Sequence, residues 1–595
     1  MVSGTVTAGR AEKLSSMLKR RGFVWPSFEI YGGQAGFYDY GPLGLLLREN
    51  IKEIWRRIYR AEGFFEIDTP CINPEAVFRA SGHLKSFSDV MVECRNCHDA
   101  FRADHLITTD IGSLAPQALG ELIKSDGVKC PRCGAADFTE PVPFNLMFET
   151  HIGPSKGRSA YLRPETPQGI FINYQHLSRF YREKLPFGIL QTGKAFRNEI
   201  SPRQGLLRLR EFNIMEAEVF LDPEEKKWHS AEPVSRRKVH FLSRDGKTHS
   251  IFFRDAVDAG LLKSDAHAYF MGLTYNFAIA IGLDTARLRY RQHTKDELAH
   301  YALDCWDLEA LLSSGWTEVT GVADRGDFDL KSHSTTSGVE LSHFRKGGSV
   351  HIEKIIRVKA DRAKLGPLFR KDSGTVAEKL EAMDASSVRG LDSVNVEING
   401  RSIEVSNTCY SVEEREERVS GKRVVPHVIE PASGLDRLFF ALLEHSFDDS
   451  DGRTVLHLTP AVAPIKAAVL PLISDIRLDR AARALCARLN SAGLESYYDD
   501  TASIGRRYAR MDEAGTPYCI TVDSEWKDGG TVTVRDRDTR KQIRVPEKSV
   551  ESVISHLIAG ENMEKLGEPV VMMLNSLRRK SPCLGDISFL NAFPV

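Results

Sequence analysis

Three stretches of this chain carry side chains whose types and spacing can do chemistry. Phe196-Arg197-Asn198-Glu199 ends one strand-like run, and Arg208-Leu209-Arg210-Glu211-Phe212 opens the next beyond a polar turn. An arginine at a strand end presents a planar, always-charged fork to a phosphate, and a second beyond the turn can hold another. Phe212 offers a face on which a base can stack. Taken alone, the Arg–Glu alternation equally suits cross-strand salt bridges. Glu430-Pro431-Ala432-Ser433-Gly434-Leu435-Asp436-Arg437 sets a glycine just before a helix and an arginine in its first turn. Free N–H groups at a helix start together with a guanidinium suit a polyphosphate; the alternative is an ordinary strand–helix turn with Arg437 in solvent. Cys94-Arg95-Asn96-Cys97 and Cys130-Pro131-Arg132-Cys133 form two C-x2-C knuckles. Such a pair supplies four thiolates at tetrahedral angles and closes a structural zinc site. Their separation exceeds the usual spacing, so a helix is expected between them; the alternative is four unliganded or partly oxidised thiols.

These groups need elements to position them. After Gly41-Pro42, the residues Leu47, Ile51, Ile54, Trp55 and Ile58 recur at helical spacing, with Arg56, Arg57 and Arg60 on the other face. Gly63 ends this helix, and Phe64 to Pro70 reads as a strand closing on proline, hence an edge or strand end. Residues 185–220 alternate like two strands around a turn from Asn198 to Gly205; 424–430 reads as a third strand, followed by a helix from about Leu435 to Glu444. No regular βαβ alternation connects them, so the sheet is expected to be mainly antiparallel. Residues 222–300, with Arg236-Arg237-Lys238, and 338–423, with a charged helix expected over Glu413 to Arg418, read as insertions. His293 and His300 fall in an expected helix running on to Trp306. From Val469 strands and helices alternate as a separate small α/β domain.

Composition narrows the class. The 595 residues are 42% hydrophobic and 27% charged, which excludes a chain disordered throughout, a collagen-like chain and a disulfide miniprotein. A net charge of −1 means that any nucleic acid must be met by local basic patches. There is no apolar run long enough for a transmembrane helix, and the polar, basic start is no secretory signal. Ten cysteines, four of them in C-x2-C pairs, point to metal binding in a reducing cytoplasm, so a cytoplasmic protein is expected.

Taken together, the helix and the strand that ends at Pro70, the Arg197–Phe212 stretch and Gly434–Arg437 resemble the three signature motifs of class II aminoacyl-tRNA synthetases. More specifically, Arg163-Pro164-Glu165-Thr166-Pro167-Gln168-Gly169, Arg197-Asn198-Glu199-Ile200-Ser201-Pro202-Arg203 and Ser503-Ile504-Gly505-Arg506-Arg507-Tyr508 resemble the glycyl-tRNA synthetases of the archaeal/eukaryotic dimeric type. The likeness runs from about residue 12 to 560. It implies an α+β fold: an antiparallel sheet flanked by helices, a zinc-knuckle insertion and a C-terminal α/β anticodon-binding domain. It divides the chain into catalytic pieces at 1–90, 141–221, 301–337 and 424–460, a zinc insertion at 91–140, insertions at 222–300 (a possible acceptor-stem contact) and 338–423, the anticodon-binding domain at 461–560 and a tail at 561–595.

The resemblance also implies roles. The activity would be ATP-dependent ligation of glycine to tRNA(Gly) by a homodimer, with Mg²⁺ and structural Zn²⁺ as cofactors and no membrane partner. Arg197, Arg437 and Glu318 would take part in the chemistry. Asn198, Glu199, Leu207, Arg208, Leu209, Arg210, Glu211 and Phe212 would complete the ATP site with Val319, Gly434, Leu435 and Asp436. Glu199 would meet the adenine amino group, Phe212 and Arg437 would sandwich the ring, Arg210 would reach the γ-phosphate and Glu318 would help hold Mg²⁺. Arg102, Glu165, Phe212, Glu216, Glu430, Ala432 and Ser433 would form the glycine pocket, Cys94, Cys97, Cys130 and Cys133 the zinc site, and Arg506, Arg507 and Arg537 anticodon contacts. One departure stands out: the family reads Glu-Pro-Ser where this chain has Glu430-Pro431-Ala432-Ser433, so the hydroxyl has moved by one residue. Either Ser433 takes over the contact through a small backbone shift, or the contact is lost.

Overall fold

The computed structural model of the chain describes residues 3–107, 115–154, 157–202, 204–228, 237–398, 401–450 and 452–570. Arg203, Arg236 and the tail beyond 570 lie outside the described residues. The centre is a nine-stranded sheet. In chain order its strands are β1 (Phe65–Glu66), β2 (Phe187–Phe196), β3 (Glu211–Leu221), β4 (Lys238–Leu242), β5 (Thr248–Phe252), β6 (Leu288–Gln292), β7 (Asp304–Leu312), β8 (Gly315–Gly326) and β9 (His427–Gly434). In space they run β5-β4-β6-β7-β8-β9-β3-β2-β1. Every neighbouring pair is antiparallel except β1–β2 and β4–β6. The sheet is thus mainly antiparallel, as the absence of βαβ alternation predicts.

Side-chain alternation gives this sheet two unlike faces. On β3, Met215, Ala217 and Val219 enter the main apolar core, while Phe212, Ile214 and Glu216 line a cavity on the opposite face. The core face is covered by α1 (Pro42–Ala61), α2 (Asp265–Ile281) and α3 (Leu435–Ser446). Helix α1 starts with proline in its first turn, where the missing N–H costs nothing. It buries Leu47, Ile51, Ile54, Trp55 and Tyr59, each large apolar side chain worth about 1.5–3 kcal/mol. On its other side Arg56 forks onto Glu66 of β1 at 2.8 and 2.9 Å. Helix α2 is capped by Ser264 and ended by a left-handed Gly282, and it is buried on nearly every side.

Residues 238–292 are no appended insertion: they supply β4, β5 and β6 of the central sheet and the core helix α2, whereas the other two inserted segments fold as small units. The four-cysteine segment has its own core of Val92, Phe101, Leu119, Ile123 and Phe138, and the helix expected between the knuckles is Pro116–Ser125. In the second insertion His343–Ala360 and Tyr410–Val424 pair as a long antiparallel ribbon carrying a small head. Glu413 to Arg418 is therefore strand and not helix, because the ribbon sets each residue opposite one on the facing strand, Glu413 against Arg357 and Arg418 against Ile352. Similarly, His293 to Ala302 is not a helix but the link between β6 and β7. The C-terminal unit is a six-stranded sheet in which Ala467–Pro471 lies parallel to Ser496–Tyr498 and Tyr518–Val522, backed by helices Ile476–Ser491 and Val550–Ile558. No helix among the described residues is long and apolar enough to cross a membrane.

Candidate active site

The cavity on the face of the central sheet opposite the main core holds about 330 Å³. At one end Arg197, Leu207, Arg208, Leu209, Phe212, Glu318, Val319, Gly434 and Arg437 line it; at the other stand Glu165, Glu216, Tyr301, Ala323, Glu430 and Ala432. The β2–β3 turn is closed by the Arg197 N–H donating to the Arg210 carbonyl at 2.9 Å. This brings the Arg197 guanidinium 5.2 Å from the centre of the Phe212 ring. Arg437, in the first turn of α3, donates to Glu318 Oε2 at 2.8 Å and to the Leu207 carbonyl at 3.1 Å. Burial pushes the Glu318 carboxyl up, but the Arg437 charge and hydrogen bond outweigh it and hold the group below its ordinary range. One end of the cavity is thus basic and aromatic, and suited to a nucleotide.

The other end is a knot of carboxylates. Glu165 sits 3.5 Å from His83 Nε2 and accepts from Gln168 Nε2 at 2.8 Å. Burial raises its pKa, yet the charges of His83 and Arg325 outweigh that and keep Glu165 well below the usual carboxylate range. Glu216 accepts from the Thr166 backbone N–H at 3.0 Å and from the Thr166 hydroxyl. Burial, against those bonds and with repulsion from Glu165, pushes Glu216 up to about 7. Glu430 is pushed to about 8, because burial and repulsion from Glu216, Glu165 and Asp329 exceed the pull of Arg325. Three acidic groups on three segments therefore converge with too few cations to balance them, which suits a cationic ligand.

Several residues expected at the site stand elsewhere. Ser433 lies on the opposite face of β9 from Glu430 and Ala432, with its hydroxyl 3.0 Å from Thr320 Oγ1. The two-residue period of a strand forbids its turning into the cavity without a register slip. The small backbone shift is therefore not made, and Ala432 lines the cavity without a hydroxyl. Glu211 likewise faces away and pairs with Lys194. Leu435 is core, leaving only its backbone at the helix start. Asp436 lines the cavity wall but accepts from the Asn213 side chain at 3.0 Å and from Tyr40. Arg210 is tied to the Glu199 and Ala35 carbonyls, each at 2.9 Å. Asn198 anchors the turn through its N–H to the Leu146 carbonyl at 2.7 Å, while Glu199 lines the cavity. Arg102 stands outside the lining, bonded to Asp89 at 2.8 Å and to Asp104 at 2.6 Å.

Arg325 was not singled out from the sequence, and it is the hub of the acidic end. Fully buried, it donates to Glu430 at 2.6 Å and to Asp329 at 2.7 and 2.9 Å, and it stacks 3.7 Å from the Tyr301 ring centre. Its place in the run Asp324-Arg325-Gly326-Asp327 reads as an exposed charged turn; the usable signal was the apolar β8 strand running straight into it. His83 and Gln168 were also missed.

Among the described residues two groups could hold a metal. The sulfurs of Cys94 and Cys133, and of Cys97 and Cys130, lie 3.6 Å apart, and all four fall within 4.8 Å of one another. Sulfurs about 3.8 Å apart are what a tetrahedral ion with metal–sulfur bonds of about 2.3 Å requires. His293, Cys305 and Asp307 also converge on the cavity wall. There, however, His293 Nε2 and Asp307 already bond each other at 2.8 Å, so a cation would have to break that pair.

In the C-terminal unit Arg506 is exposed and makes no ion pair among the described residues. Arg507 and Arg537 correct the sequence reading, for neither can meet an anticodon. Arg507 is buried against the Pro471 and Asp499 carbonyls, and Arg537 donates to Gly515 at 2.8 Å and Leu458 at 2.9 Å. They join strands and loops from within.

With this geometry in view, the comparisons with known proteins are specific. The family model described as "tRNA synthetase class II core domain (G, H, P, S and T)" matches residues 148–446, and "Anticodon binding domain" matches 466–557. A solved structure, Giardia lamblia prolyl-tRNA synthetase in complex with prolyl-adenylate, superposes with a TM-score of 0.51 at 14% identity, covering 92% of this chain and 75% of that one, a likeness of fold. The fold and core are those of a class II aminoacyl-tRNA synthetase. Glycine–tRNA ligase of Methanothrix thermoacetophila is 45% identical over 564 residues, 93% of this chain and 97% of that protein. That of Archaeoglobus fulgidus is 46% identical over 570 residues, 93% and 98%. The chain belongs to the glycine–tRNA ligase family.

Proposed function

We propose that this chain activates glycine with ATP and transfers it to the 3′ end of tRNA(Gly). The observation that carries the reading is one cavity with a basic, aromatic end and a three-carboxylate end. In the first step a glycine carboxylate oxygen attacks the α-phosphorus, the new O–P bond forms and pyrophosphate leaves. Such a step needs alignment and charge neutralisation more than proton transfer. Arg197 neutralises the reacting phosphate, Phe212 stacks on adenine, and Arg437 and Glu318 border the nucleotide. Glu165, Glu216 and Glu430 hold the ammonium. In the second step the terminal ribose hydroxyl attacks the glycyl carbonyl and AMP leaves. Selection for glycine works by exclusion, since a filled wall can reject a side chain whereas a pocket cannot easily reject a smaller substrate.

Glu318 would help hold Mg²⁺, which would supply further charge neutralisation at the phosphates. Zn²⁺ would sit among the four cysteine thiolates and hold the insertion together. A homodimer is supported by the exposed rings of Phe65 on the edge strand β1 and Phe180, 5.0 Å apart, which a second copy would cover. Of the three arginines expected to meet the anticodon, Arg506 is the exposed one and would contact tRNA. The test is charging of tRNA(Gly) with labelled glycine by the zinc-loaded protein: acid-precipitable glycyl-tRNA is expected, and folded protein that charges no tRNA would count against the reading.

A further inference from the structure

Glu218 has no part in the chemistry above, yet it is the strangest group near the site. It is fully buried on β3, one strand period beyond Glu216 and on the same face. No N–H or O–H donor among the described residues reaches either of its oxygens. The register that pairs Glu216 with Ala432 and Val219 with Ile429 sets Glu218 directly opposite Glu430 on β9. Side chains so placed have Cβ atoms about 4.5–5.5 Å apart, and two like charges there repel. In a buried site two such carboxyls cannot both ionise.

The surroundings decide which of them keeps the proton. Glu430 has a guanidinium hydrogen bond, from Arg325 at 2.6 Å; Glu218 has none. Around Glu218 stand Glu430 from β9, Glu216 from its own strand, Arg325 at the end of β8, and Asp329 on the following helix. Of these only Arg325 is cationic, and its hydrogen bonds go to Glu430 and Asp329. An ionised carboxylate with no donor in a dry interior is far costlier than a neutral acid. Burial and repulsion from Glu430 accordingly push Glu218 well above the ordinary range.

We infer that Glu218 is a positioning residue of the acidic pocket: a carboxyl that stays protonated and donates to Glu430 when Glu430 ionises against a substrate ammonium. Glu218 then lets one negative charge, not two, face the ligand from this part of the sheet, and it fixes the direction of that charge. The inference rests on the glycine reading of the cavity.

The test compares Glu218→Met, which fills the space without a donor, with Glu218→Gln, which keeps a donor and cannot ionise. Glycine and ATP affinities of the full-length protein are measured calorimetrically. Glu218→Met should weaken glycine by about tenfold to a hundredfold, the worth of a hydrogen bond to a charged group, and leave ATP affinity unchanged. Glu218→Gln should restore the glycine affinity and its pH profile. If Gln weakens glycine as much as Met, the position needs a charge; if Met binds like the wild type, no donor is needed. Either result overturns the inference. Should Glu218→Met not fold, infrared difference spectra of wild type against Glu218→Gln decide. A protonated-carboxyl carbonyl band at neutral pH, lost in the variant, is expected with and without glycine, and its absence overturns the inference. Because that band is read without ligand, it separates this inference from the glycine reading, which fails on its own if the wild type binds no glycine.

Discussion

Glycine should bind with the release of protons. Glu216 is pushed to about 7 and Glu430 to about 8, so both are largely neutral near pH 6, and a neutral carboxyl attracts an ammonium poorly. A carboxyl that must ionise before it can grip the substrate adds about a tenfold gain in affinity per pH unit below its pKa. From about pH 6 to 7, affinity should therefore rise about tenfold if one proton leaves and approach a hundredfold if both do. The same shifts act on stability. Burial favours the neutral acids, so their contribution is full below the ordinary value of 4.5 and is lost as pH climbs through about 7 and 8. Glycine should offset that loss, raising Tm more at pH 8 than at pH 6. The assay is isothermal titration of glycine at each pH in two buffers of different ionisation heat, which counts the protons directly. An affinity flat from about pH 5.5 to 8, with no buffer-dependent heat, would refute the carboxylate-knot argument.

Ser433→Ala should leave the KM for glycine unchanged and cost about 1 kcal/mol of stability, because its hydroxyl serves Thr320 on the core face; a raised KM would place it in the pocket after all. Arg506→Ala should weaken tRNA binding without moving Tm, whereas Arg507→Ala should lower Tm by freeing buried carbonyls; binding shifts and thermal melts on both variants separate the two. Metal analysis should find one zinc per chain, lost in Cys94→Ser/Cys97→Ser. Phe65→Ser/Phe180→Ser should yield monomers by light scattering if these exposed rings are the dimer contact.

Much of this architecture was legible because periodicity is a local property. The α1 stripe, the β2–β3 hairpin and the strand–helix turn at Gly434 each announce themselves within one continuous stretch of chain. The basic, aromatic end of the cavity was legible for the same reason: Arg197 and Phe212 sit on one hairpin. What was not legible depends on partners distant in sequence. Whether Arg506 or Arg507 points inward is set by the carbonyls of Pro471 and Asp499. Arg325 reads as a surface charge until Glu430 and Asp329 are brought to it. The charged run Glu413–Arg418 suits a helix alone and becomes a strand only because Ile352–Arg357 lies opposite. The displaced hydroxyl of Ser433 could have been settled from the sequence by strand parity, since Glu430 and Ala432 share a face that excludes it.

Amino-acid-dependent ATP–pyrophosphate exchange tests the central claim most directly, comparing glycine, alanine and serine on wild type and Arg197→Ala. Exchange with glycine alone, abolished in the variant, is the predicted result. Exchange supported equally by alanine or serine, or by no amino acid in folded zinc-loaded protein, would contradict it.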